Sequence, residues 1–152
     1  VKKHIIFTLL FITSLLLADD KYSIFFTDVR FNQRESKFYF MRWDALRDGE
    51  ERNLDRYVRG DFSGKYLVKV TKYYRNMIQD ELFINNKGVC IKKLTYKNGR
   101  LVYELVYNER GFVPYGGAKR NLIKKIVYIN NVAVKMVILD GMGNVISSRK
   151  LR

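Results

Sequence analysis

From residue 66 to residue 151 the chain repeats one short pattern: a run of eight or nine residues rich in Val, Ile, Leu, Tyr and Phe, then a small polar cluster with Asn or Gly. Runs of that length and composition read as strands, and the clusters between them as tight turns. The runs cover 66–74, 77–84, 89–96, 100–107, 122–129, 132–139 and 144–151. Asn and Gly recur between them because hairpin turns need positive φ, which those residues tolerate best. The spacing is even: Gly88 to Gly99 is 11 residues, Gly99 to Gly111 is 12, and Asn131 to Gly143 is 12. These features predict an all-β fold, or a mainly β fold with one short helix, built as an antiparallel up-and-down meander in a twisted or curled sheet. Only 112–121, with the sole proline Pro114 followed by Tyr115-Gly116-Gly117, breaks the rhythm and reads as a longer loop.

Alternation along the runs shows what their faces must do. Leu101, Tyr103, Leu105 and Tyr107 make one apolar face, and Val102, Glu104 and Val106 the other, with one charge. In 132–139 both sides are apolar apart from Lys135. A flat sheet with two such faces in water would aggregate. The sheet is therefore expected to curl, to be covered by the N-terminal half, or to dimerise. That half is less regular, with strands read at 23–27 and 37–43. A short helix or helical loop is read over 44–58 from the loose spacing of Leu46, Leu54 and Tyr57, with Asp44 as its N-cap and Gly49 weakening an unbroken helix.

Within the meander, Leu94-Thr95-Tyr96-Lys97-Asn98-Gly99-Arg100-Leu101, Tyr107-Asn108-Glu109-Arg110-Gly111-Phe112 and Asp140-Gly141-Met142-Gly143-Asn144-Val145 resemble bacterial Y-x-x-G-x-L hairpin repeats. Among these are the MORN-variant repeats of YwqK-like proteins and, more distantly, the YD repeats of Rhs-type proteins. The resemblance covers about residues 74–152. It implies a β-hairpin repeat architecture and no functional residue.

The N-terminus has a basic start, Lys2-Lys3-His4, an apolar run of 13 residues from Ile5 to Leu17, then Ala18 before Asp19-Asp20. This is the layout of a signal peptide over 1–18, and the run is too short for the roughly 30 Å hydrocarbon core of a bilayer. Export to the periplasm or medium is expected, with an uncleaved N-terminal anchor as the alternative. Residues 19–152 then form a single β-rich domain. Cleavage lowers the net charge from +14 to +12 and removes His4, the only histidine. Catalytic sites and metal centres that depend on histidine are thereby excluded, and no cofactor motif is present. Cys90, the only cysteine, sits between Val89 and Ile91 and reads as a buried small hydrophobe.

Three patterns could carry chemistry. Asp44, Asp48, Glu50, Glu51 and Asp55, interleaved with Arg42, Arg47, Arg52 and Arg56, could hold a hydrolase's carboxylate pair. The simpler reading is a solvated helix with ion pairs such as Asp48 to Arg52 and Glu51 to Arg56. Ser147 and Lys150 fit an S-x-x-K string, but on a strand residues three apart point to opposite faces. No catalytic residue and no metal ligand is assigned. The third pattern is the mixture of cations and aromatics at Lys69, Lys72, Tyr73 and Arg75, at Lys92, Lys93, Tyr96, Lys97 and Arg100, and at Lys124 and Lys125. In a cytosolic protein it would suggest nucleic acid. Export turns the expectation toward an anionic lipid, a glycan or an acidic protein of the cell envelope. Pairing of strand edges, in a homodimer or with another chain, is the structural alternative.

Overall fold

β-Branched and aromatic runs broken by residues that accept positive φ favour extended strands joined by tight reversals. The computed structural model describes residues 20–115, 117 and 119–152; residues 1–18, read above as a signal peptide, lie outside them. Among the described residues there are eleven strands: β1 (Lys21–Phe26), β2 (Arg30–Asn32), β3 (Lys37–Tyr39), β4 (Arg56–Ser63), β5 (Tyr66–Tyr74), β6 (Met77–Ile84), β7 (Cys90–Lys97), β8 (Arg100–Tyr107), β9 (Leu122–Ile129), β10 (Val132–Leu139) and β11 (Val145–Lys150). Nine form one antiparallel sheet in the order β1-β4-β5-β6-β7-β8-β9-β10-β11, and β2 and β3 form a separate hairpin. From β4 onward each strand pairs with the next, so the fold is the expected up-and-down meander, open at β1 and β11. The runs read at 66–74, 77–84, 100–107, 122–129 and 132–139 coincide with β5, β6, β8, β9 and β10.

Of the short helix or helical loop read over 44–58, no continuous helix forms. Single 3-10 turns occupy Arg42–Asp44 and Glu50–Asn53, and β4 begins at Arg56. Gly49, at φ 83, interrupts any continuous helix, and a strand buries both Tyr57 and Val58, on opposite faces, where a helix would bury one. Asp44 caps nothing; its carboxylate accepts from Arg30 Nε at 2.9 Å. The ion pair in this stretch is Arg47 to Glu50, at 3.8 Å. The strand read over 37–43 ends at Tyr39, where the chain turns to bring Phe40 onto the sheet.

Pairing registers define the two faces of the sheet. One row runs Ile24, Gly60, Val70, Leu82, Lys93, Leu105, Lys125, Val137 and Ser148 across all nine strands. The β2–β3 hairpin lies over the first half of this face. Phe38 and Phe40 join Phe26, Val58, Val70, Leu82 and Cys90 in the main core. Gly60 is what lets Phe40 in, since a Cβ there would stand 2.6 Å from the ring. Phe112, on the loop after β8, stacks parallel to Phe38 and packs against a smaller core of Tyr107, Leu122 and Leu139. The N-terminal half thus covers one apolar face, one of the three expected remedies. A register shift also lies beside the turn of every hairpin from β4 to β11. Such bulges increase local twist, which curls the sheet.

Arg30 and Asp44 tie the covering hairpin to the end of β1, where the Thr27 amide donates to the Asp44 carbonyl at 2.8 Å. Arg30 holds the Asp44 carboxyl below the usual carboxylate range. Stability from a carboxyl lowered in the folded state is present above its unfolded value, about 3.9, and is lost as pH falls through the folded one. Asp44→Asn is therefore expected to lower Tm at neutral pH and to flatten the loss of stability below about pH 4. Thermal melts across acid pH check this; an Asn variant that declines as steeply as the parent contradicts it.

Candidate functional site

The eleven residues selected from the sequence do not meet in one patch. Lys69, Tyr73, Lys92, Tyr96 and Lys124 lie on the face opposite the hairpin. Lys72, Lys93 and Lys125 lie on the hairpin side, and Arg75, Lys97 and Arg100 sit at turns.

On the opposite face, most of the cations are neutralised by neighbouring strands. Lys69 Nζ stands 3.5 Å from Asp61 and 3.3 Å from Glu81, and Lys92 Nζ stands 3.6 Å from Glu104. Both ammonium groups also lie over the Phe83 ring, at 5.9 and 4.6 Å. Two tyrosines brace the acids: Tyr96 donates to Glu81, and Tyr128 donates to Glu104 at 3.1 Å. Burial, and then hydrogen bonding to a carboxylate, pushes both phenols up. Tyr73 stacks on Tyr57 at 4.9 Å, with Arg59 above it. This lattice ties strands β4 to β9 together side chain to side chain, and its lysines are occupied.

The hairpin side repeats the lesson for Lys93, 3.8 Å from Asp80 and over Phe112 at 4.7 Å. Lys125 lies over Tyr103 at 4.2 Å and makes no ion pair among the described residues. Cys90 is fully buried, and burial pushes its thiol up to about 12. A thiol held protonated is neither a nucleophile nor a ready disulfide partner. Within the acidic stretch, Asp44 is engaged by Arg30 and Glu50 by Arg47.

No protein family, curated protein or solved structure matches this chain. Its own side chains must carry the functional reading, and the free cations are the place to look. Sequence reasoning missed one group of them. Arg110, Lys119 and Arg120 converge on an open cavity of about 600 Å³ bounded by Gly117, Gly141 and Gly143. The long loop between β8 and β9 brings them together, and only its break in turn rhythm marked it in the sequence. Lys97 and Arg100 line a second recess, of about 510 Å³, with Tyr128 and Ile129. A third, of about 270 Å³, is aromatic and lies between the covering hairpin and the β4–β5 turn, against Phe38, Phe40, Phe62 and Tyr66.

Proposed function

We propose that this is an exported, non-catalytic β-repeat protein that binds an anionic component of the cell envelope through the cations of its C-terminal strands. One observation carries the reading. Residues 97–152 hold eleven Lys and Arg against three Asp and Glu, a net charge of +8. Two of those three acids are already engaged: Glu104 by Lys92 and Tyr128, and Asp140 by Asn144 and the turn amides it caps. The charge surplus is therefore not cancelled internally and extends into solvent as a field that attracts anions. The N-terminal strands differ, because Asp61, Asp80 and Glu81 hold their lysines in place. The resemblance to bacterial hairpin repeats fits a binding scaffold of this kind.

Binding should be salt-dependent. The chain beginning at Asp19 is expected to be retained on an acidic glycan resin or to sediment with anionic vesicles at low salt, and to be released as added salt shortens the range of its field. Equal behaviour toward neutral and anionic matrices at every salt concentration would remove the reading.

A second reading, assembly through strand edges, is favoured by β11. Val145–Lys150 is exposed throughout, and no strand among the described residues pairs with its outer edge. The edge of β1, by contrast, is partly closed by an isolated bridge from Phe26 to Ala45. A bare edge is a template for strand addition. Analytical ultracentrifugation decides it: a monomer at all concentrations, with no partner recovered by an envelope pull-down, argues against assembly.

A further inference from the structure

Three connections lie together at one end of the sheet: Arg75-Asn76 between β5 and β6, Asn98-Gly99 between β7 and β8, and Asn130-Asn131 between β9 and β10. In each, both residues have positive φ: 47° and 62°, 50° and 74°, 50° and 63°. This is the two-residue turn whose twist matches the strands, so the tips are tight and fixed by the sheet. With two strand spacings between them, adjacent tips stand about 10 Å apart.

The residues flanking the turns form a pattern along this edge. Tyr74 and Met77 flank the first, Lys97 and Arg100 the second, Ile129 and Val132 the third. An apolar pair, a cationic pair and a second apolar pair thus follow one another. Met77 is 46% exposed, Ile129 60% and Val132 39%. The guanidinium groups of Arg56 and Arg75 lie over the Tyr74 ring, at 5.1 and 5.2 Å, and add charge at the first tip. Arg100 donates to Asn130 at 3.3 Å, which steadies its side chain at the rim of the recess it shares with Lys97. None of the three turns or their flanking residues is a carboxylate.

We infer that this edge docks on an anionic phospholipid bilayer, with Lys97 and Arg100 on headgroup phosphates and Met77, Ile129 and Val132 in the interfacial apolar layer. The inference rests on the anion-binding function proposed above and names its partner and contact. Charge alone fits a glycan as well as a lipid. The apolar pairs decide between them, because a glycan would leave three exposed apolar side chains in water, whereas a membrane interface takes cations and apolar groups together. Among the described residues no helix is long and apolar enough to cross a membrane.

The test is sedimentation of the chain from Asp19 onward with vesicles of phosphatidylcholine alone and with equal parts of phosphatidylglycerol. Each membrane-proximal cation contributes about 1 kcal/mol, so Lys97→Gln with Arg100→Gln should weaken binding to the mixed vesicles on the order of 30-fold. Ile129→Ser with Val132→Ser should remove the part of binding that survives high salt. Arg110→Gln with Lys119→Gln, at the other end of the sheet, should change binding by less than either, and circular dichroism establishes that each variant is folded. Tip variants that bind like the parent, with the far-end variant weakened, would overturn the docking edge while leaving anion binding intact. Retention on an acidic glycan with no preference for mixed vesicles would overturn the lipid partner alone. Loss of binding to both would overturn this inference and the function it rests on.

Discussion

Gly111→Ala is expected to destabilise the fold by about 3 kcal/mol, through two terms of comparable size. Gly111 has φ 75°, a left-handed conformation that costs an L-residue roughly 1–2 kcal/mol. The new Cβ would also overlap Val89 Cγ1 and stand 2.8 Å from the Cys90 carbonyl oxygen. Backbone cannot rotate away as a flexible side chain can, and overpacking of this kind costs about 1–3 kcal/mol. The position matters because Gly111 begins the loop that carries Phe112 over both cores. The Phe112 amide donates to the Cys90 carbonyl at 2.8 Å, and the buried Asn121 side chain donates to the Gly111 carbonyl at 2.8 Å. Gly99→Ala supplies the control: φ is 74°, and no heavy atom lies within 4 Å of a Cβ there. It should cost about 1 kcal/mol, the conformational term alone. Urea unfolding of the two variants separates the terms, and equal losses would show that the close approach to β7 contributes nothing.

The meander was legible because its turns state their own conformation. Asn98-Gly99 and Asn130-Asn131 take the positive φ those residues tolerate, and strand boundaries follow from them. β4 was hidden for a local reason. Arg56–Ser63 follows a charged stretch and contains Gly60, which looks like a breaker, whereas its missing Cβ makes room for Phe40. That need arises only once the hairpin is laid on the sheet. The surface was less legible than the fold. Lys69 and Lys92 stand out in sequence as free cations, but Asp61, Glu81 and Glu104 reach them from neighbouring strands. Which acid faces which lysine depends on register, and a bulge beside each turn resets the register from hairpin to hairpin. Lys97 and Arg100 escaped that pairing because turn-flanking positions lie beyond the lattice.

Leu82→Ala should be as costly as Gly111→Ala or more so, about 3–4 kcal/mol, with a fall in Tm on the order of 10 °C. Leu82 is wholly buried between Val70 and the hairpin-side surface of β7, in a core whose other members come from β1, β3, β4, β5, β6 and β7 and from Val29 after β1. The sheet below is fixed by its ladder, and the aromatic rings above are stacked: Phe26 on Phe40 at 3.8 Å, interplanar angle 8°. Neither layer can close on the space left by three carbons, so a cavity term adds to the lost transfer energy. Leu105 tests how far this core extends, because it lies in the same cross-strand row, one strand beyond Lys93, and is only partly buried. With less area to lose and room to relax, Leu105→Ala should cost about half as much. Thermal and urea unfolding of the two variants at several protein concentrations measures the contrast. If Leu105→Ala costs as much as Leu82→Ala, and the cost grows with concentration, the far half of the sheet is buried against a second copy in solution. If its cost is half and independent of concentration, the core ends where the β2–β3 hairpin and Phe112 end, and the C-terminal strands remain free to meet an anionic surface.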